Sequence, residues 1–274
     1  MCRWLAYSGE PIRLEEAILK PEHSIIDQSL HARQGATETN GDGFGVGWYG
    51  KRLVPGLFKD IRPAWNDTNL HALAEQIESH LFFAHIRAAT GSAIQRTNCH
   101  PFQYRNWLFV HNGAVREFET VKRDLMFAIS PELFKEIKGT SDSEVLFYLA
   151  LTFGMAEDVG GGIARMAGFV EDVGRRHGVE HPLQMTLGIS DGEKLYGFRY
   201  SSERSSRTLY YSENIDAIRD IAPQRADRFS SDTRAVVSEP LSDLPEVWIP
   251  LEEASLLTVH RGDVQVVAFA PESP

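Results

Sequence analysis

The order of elements along the chain constrains its fold more than any single motif. Strand-like runs come first, helical segments hold the middle, and strands return towards the end. Cys2 to Tyr7 alternates as a buried strand and is broken at Ser8-Gly9-Glu10-Pro11. Asn40-Gly41-Asp42-Gly43 is turn chemistry that leads into a strand through Tyr49. A tight Gly50-Lys51 turn then gives a partner strand over Leu53 to Lys59. Leu81 to Arg87 and Trp107 to Gly113 are apolar runs that read as buried strands, the second ending in a turn. Leu70, Leu73, Ala74 and Ile77 predict an amphipathic helix within Asn66 to Ser79. Further helices are expected over Glu117 to Ala128, Val145 to Phe153 and, after the Gly160-Gly161-Gly162 break, Asp158 to His177. Ser24 to Ala32 has no clear period. Strands resume at Gln184 to Ser190, Lys194 to Tyr200, Thr208 to Ser212 and Ala235 to Ser238, and end in a hairpin about Arg261-Gly262-Asp263. This order predicts an α+β protein of one domain over residues 1–274, with two mainly antiparallel sheets packed face to face and helices outside.

Composition bears on which partners such a fold could serve. The formal charge of −10 argues against nucleic acid or an anionic membrane, since both need clustered positive charge. No apolar run reaches the length of a membrane span, and the start lacks a basic-then-apolar leader pattern. Only Cys2 and Cys99 carry thiols, so no disulfide framework is expected and the cytoplasm is the default compartment. Gly41-Asp42-Gly43 is followed by a strand and not a helix, which discounts a phosphate cradle. His80, His85, His100 and His111 do not have metal-site spacing. No metal or cofactor is expected.

Several residues carry possible chemistry, each beside a plainer role. Cys2 follows only Met1, the kind of start that is trimmed, and trimming would leave a thiol and a free α-amine on one residue. An α-amine has an ordinary pKa of about 7.7–8.0, so near neutrality it can take a thiol proton. The plainer role is a small buried residue opening a strand. Arg87 closes an apolar strand and calls for an anionic partner, either an internal carboxylate or that of a ligand. Asn112-Gly113 reads as a hairpin turn or as a pair of donors to an oxyanion. Ser141 with Glu144 forms a capping-box pattern in which Asp142 complements the helix dipole, and Asp142 could equally bind a ligand cation.

In this order the pieces resemble class II glutamine amidotransferases, which are N-terminal-nucleophile hydrolases. The resemblance rests on Cys2, His85-Ile86-Arg87-Ala88-Ala89-Thr90, His111-Asn112-Gly113 and Thr140-Ser141-Asp142-Ser143-Glu144, and runs over the first 150 or so residues. It implies a four-layer αββα sandwich. It also implies that Cys2 attacks the side-chain amide of glutamine with its own α-amine as base, giving a glutamyl thioester and ammonia, and that water then releases glutamate. Asn112 and Gly113 would form the oxyanion hole, Arg87 and Thr90 would bind substrate, and Asp142 would hold its α-ammonium. Members fused to synthases carry Trp after the arginine and His after the threonine, where this chain has Ala88 and Gly91. That departure implies a wider or differently lined glutamine pocket, and the Asn98-to-Phe102 and Asn40-to-Trp48 segments look more like the family's short, single-domain branch. Three readings follow: a glutaminase with a possible separate ammonia-acceptor subunit, a hydrolase of another γ-glutamyl compound, and a non-catalytic binding protein.

Overall fold

The computed structural model describes residues 2–31, 39–89, 91–212, 230–243 and 247–274. In chain order its first half comprises β1 (Arg3–Arg13), α1 (Glu15–Ile18), α2 (Ile25–Leu30), β2 (Phe44–Trp48), β3 (Gly56–Asp60), α3 (Thr68–Gln76), β4 (Glu78–Ile86), β5 (Phe102–Tyr104) and β6 (Trp107–Val115). Next come α4 (Phe118–Phe127), α5 (Pro131–Phe134), α6 (Asp142–Thr152) and α7 (Val159–Arg176). The remainder is β7 (Leu183–Ser190), β8 (Leu195–Ser201), β9 (Tyr210–Ser212), β10 (Arg234–Val237), β11 (Trp248–Pro250), β12 (Ser255–His260) and β13 (Asp263–Ala268).

Among the described residues the strands form two antiparallel sheets, ordered β11-β9-β10-β1-β4-β2-β3 and β13-β12-β8-β7-β6-β5. Side-chain alternation explains why their central strands read as unbroken apolar runs. On β4, Leu81 and Phe83 face the second sheet, as do Trp4 and Ala6 of β1, and they pack with Leu108 and Val110 of β6. Phe82, Ala84 and Ile86 face the other way, onto a layer built from α1 to α3 through Ala17, Ile18, Ile25, Leu70 and Ala74. On the outside of the second sheet, α4, α6 and α7 cover β6 and β7. α6 is buried from Ser143 to Leu151, which accounts for its apolar residues on every side. The layers are therefore helix, sheet, sheet, helix, as expected.

Trp4 joins the sheets. Its indole lies over Gly188 of β7, where a Cβ would come within 2.9 Å of the ring and 2.8 Å of Phe83. Its Nε1 donates to Thr186 Oγ1 at 3.3 Å, and that hydroxyl donates to the Asn112 carbonyl at 3.2 Å. All of these groups are buried.

Several boundaries differ from the sequence reading. β1 does not stop at Ser8 but continues to Arg13 through a register irregularity between Ser8 and Ile12. α2 and β5 are too short to show a period. The three glycines lie inside α7, with Asp158 capping it by accepting the Gly161 N–H at 3.1 Å, so they are not a break. β6 does not turn at Asn112-Gly113 but runs on to Val115, paired with β7 from Leu108 onwards.

Behind β6, the rings of His85 and His100 stack with centroids 4.1 Å apart. Among the described residues neither ring nitrogen of His100, nor Nδ1 of His85, has a hydrogen-bond partner. Burial holds both rings, and that of His111, below the ordinary 6.5, with His85 down to about 3. Unfolding lets these rings protonate near 6.5, so stability falls as pH drops below that value. The fall is up to about 1.4 kcal/mol per pH unit for each ring. Urea midpoints measured between about pH 7 and about pH 5 are expected to shift less in His100→Phe than in wild type. An equal shift in both would assign the pH dependence to other groups.

Candidate active site

Two of the candidate residues meet where β1 begins. Arg3 pairs with Ile86, so one step further along the ladder puts Cys2 beside Arg87. The half-buried Cys2 sulfur lies in the turn that follows β4. It accepts the Ala88 N–H at 3.4 Å and lies 3.5 Å from the Ala88 carbonyl. Burial raises the thiol above its ordinary value, the Ala88 N–H and the Arg87 charge oppose that, and Asp142 adds to it. With Met1 in place the thiol is therefore protonated near neutrality. Cys99, the other thiol, is buried and also free.

Arg87 is 3% exposed. Its Nη1 donates to the Asp42 carbonyl at 3.3 Å, and its Nη2 to Ser92 Oγ at 2.7 Å and the Ala93 carbonyl at 3.0 Å. These acceptors are neutral. Among the described residues no carboxylate pairs with this guanidinium, so the internal-partner alternative fails there. Its charge is oriented but not balanced.

Two residues that the sequence reading passed over hold this turn. Asp42 accepts the Ala89 N–H at 2.8 Å, and its own N–H donates to the Arg87 carbonyl at 3.1 Å. Asn98, fully buried, donates to Ala93 O at 2.9 Å and accepts the Thr140 N–H at 2.8 Å. The signal for both was a polar residue inside a glycine-rich or loop segment, but their partners are far along the chain. Thr90 lies outside the described residues.

Asp142 is the first residue of α6. Its carboxylate accepts the Val115 N–H at 2.8 Å and the Ser143 N–H at 2.7 Å, tying the helix start to the end of β6. The capping box is half made. Ser141 accepts from Glu144 N at 3.3 Å, but Glu144 returns its bonds to the N–H groups of Lys138 and Gly139, at 2.9 and 2.6 Å.

The edge of β6 is open where Asn112 and Gly113 sit. β5 pairs β6 only from Phe102 to Tyr104, opposite Phe109 to Trp107. N–H directions alternate along a strand. The Arg116 N–H bonds Pro182 O in line with β7, whereas the Val115 N–H turns away to Asp142. By the same alternation the Gly113 N–H faces the edge that β5 has left. The Asn112 side chain is buried, and among the described residues its amide has no hydrogen-bond partner. Gly113 cannot carry a side chain, because a Cβ would fall 2.0 Å from Gln184 O. Trp4 and Thr186 link the strand that follows Cys2 to the strand that carries Asn112 and Gly113.

The family model for class-II glutamine amidotransferases matches residues 20–273. This chain belongs to that family. A probable glutamine amidotransferase of Saccharomyces cerevisiae, DUG3, is 33% identical to it over 96% of this chain and 83% of the yeast protein. A gamma-glutamyl-hercynylcysteine sulfoxide hydrolase of Mycobacterium tuberculosis is 34% identical, over 42% of this chain and 50% of that protein. Among solved structures, a glutamine aminotransferase class-II domain protein from Silicibacter pomeroyi superposes with a TM-score of 0.75 at 35% identity. That match covers 98% of this chain and 100% of the other. The two-sheet architecture is that family's fold. No described helix is long and apolar enough to cross a membrane. Among the described residues one group has metal-like donor spacing, Glu22, His23 and Asp243, and it includes none of the candidate residues.

Gly113→Ala is expected to lower unfolding stability by about 2–3 kcal/mol, since the new methyl meets a backbone carbonyl and not a flexible side chain. Urea unfolding checks this. A change below about 0.5 kcal/mol would mean that β6 and β7 can part there.

Proposed function

We propose that this chain hydrolyses the γ-amide of glutamine or of another γ-glutamyl compound through a thiolate on Cys2. Removal of Met1 would give Cys2 the free α-amine that takes its proton. The thiolate attacks the amide carbonyl carbon, and the oxygen becomes an oxyanion facing the Asn112 amide and the Gly113 N–H. The C–N bond then breaks as the leaving nitrogen takes the proton held by the α-amine. Water attacks the resulting thioester, and glutamate leaves. Arg87 would bind the α-carboxylate and Asp142 the α-ammonium, with Thr90 beside them. The observation that carries this reading is Arg87, a buried cation beside Cys2 whose described partners are all neutral. A glutamyl α-carboxylate supplies the missing charge.

The same reading takes residues 1–274 as one working unit in a reducing cytoplasm, where both thiols stay free. Ammonia released from glutamine would pass to a separate acceptor subunit or be lost. The decisive experiment is intact-protein mass spectrometry and peptide mapping after treatment with diazo-oxo-norleucine, a glutamine-like alkylator. One adduct on a Met-free Cys2 is expected. Retained Met1 with no adduct would favour a non-catalytic binding protein. In the processed protein the rate of Cys2 alkylation should climb at lower pH than in a form that keeps Met1, because only the former has the neighbouring amine. Coincident pH profiles would remove the α-amine from the mechanism.

Arg87→Lys is expected to raise KM for glutamine by roughly tenfold or more with a smaller change in kcat, because lysine cannot make the planar two-point contact. An unchanged KM would make Arg87 a purely structural residue.

A further inference from the structure

A second arginine stands in the same row as Cys2, and the chemistry above does not use it. β1 pairs β10 with Leu5 opposite Val237, and β10 pairs β9 with Val237 opposite Tyr210. Backbone bonds run past the strand ends, Ser238 N–H to Trp4 O at 2.9 Å and Leu251 N–H to Leu209 O at 2.8 Å, and the Thr208 hydroxyl, donating to Ser238 O at 2.9 Å, holds the two segments together. Continuing the count from those pairs brings Cys2, Pro240 and Arg207 level with one another. Arg207 is then two strand spacings from Cys2, about 10 Å, on the side away from Arg87. Alternation also fixes the face. Trp4, Phe83 and Leu209 all lie in the core between the sheets, and Cys2, Arg87 and Arg207 stand an even number of residues from them. The two arginines flank the thiol at one mouth of the inter-sheet space.

Arg207 is half-buried, and its Nε is buried with no hydrogen-bond partner. Among the described residues its guanidinium makes no ion pair. Arg3, nearby, differs in that its Nε is held by Glu239 at 2.7 Å. Burial and then the charge of Arg3 lower the pKa of Arg207, while the nearness of Cys2 acts the other way. A partly desolvated cation without a counter-charge is unfavourable until an anion reaches it.

We propose that Arg207 reads the leaving half of the substrate, by holding an acidic group carried on the amine that departs from the γ-glutamyl carbonyl. This rests on the γ-glutamyl reading above, with Arg87 at the glutamyl end. The departing ammonia of glutamine offers Arg207 nothing. The substrate class it fits is the γ-glutamyl amide of an amine that bears a carboxylate or a comparable anion, such as an amino acid or short peptide.

The test compares γ-glutamylglycine with γ-glutamylisobutylamide, whose leaving half has a similar shape but no charge, on processed protein also assayed for Cys2 alkylation. Wild type is expected to favour the glycine compound by about 10- to 100-fold in kcat/KM, the range of a charge-assisted hydrogen bond. In Arg207→Gln that ratio should fall towards one, mainly through KM for the glycine compound, and Arg207→Lys should restore part of it. Protein that is alkylated on Cys2 but shows no preference, cleaves neither amide, or keeps its preference in Arg207→Gln overturns the assignment of Arg207 alone. Protein that is neither alkylated nor active overturns the γ-glutamyl reading as well.

Discussion

The contact between Trp4 and the second sheet is the constraint on which the rest of the site depends. The indole can lie there only because Gly188 leaves space for it, and its one polar atom finds Thr186 in the buried space between the sheets. Thr186 in turn holds the carbonyl of Asn112. The strand that begins at Cys2 and the strand that carries Asn112 and Gly113 are thereby kept in register across two sheets. Without that link, the thiol and the amide donors would belong to independent layers.

Electrostatics around the site follow from burial. The rings of His85, His100 and His111 are neutral behind β6, so they add no charge to compete with Arg87. The carboxylate of Asp142 is engaged by the backbone N–H groups of Val115 and Ser143 at a helix start. Arg87 and Asp142 are thus each held by backbone groups. Under the function proposed above, that pair suits an amino-acid zwitterion better than a singly charged group.

Much of this was legible in the sequence because the residues concerned stand at element ends. Cys2 opens a strand, Arg87 follows one, and Asp142 begins a helix, each where local pattern changes. Asn112 and Gly113 were visible as a pair but misleading, since the same two letters make a hairpin turn. Only pairing with β7 from Leu108 to Val115 removes that choice. Asp42 and Asn98 could not be read, because what matters about them is a bond to a segment distant in sequence. Arg207 was hidden for a different reason. It follows a polar loop and looks like the entry to a short strand, and only sheet register brings it level with Cys2.

Asn98 has a consequence beyond holding a loop. It joins the turn that orients Arg87, through Ala93, to the segment that leads into α6 and Asp142, through Thr140. If Arg87 and Asp142 hold the two ends of a glutamyl group as proposed, this link couples their spacing, so that a change at one end of the group is felt at the other.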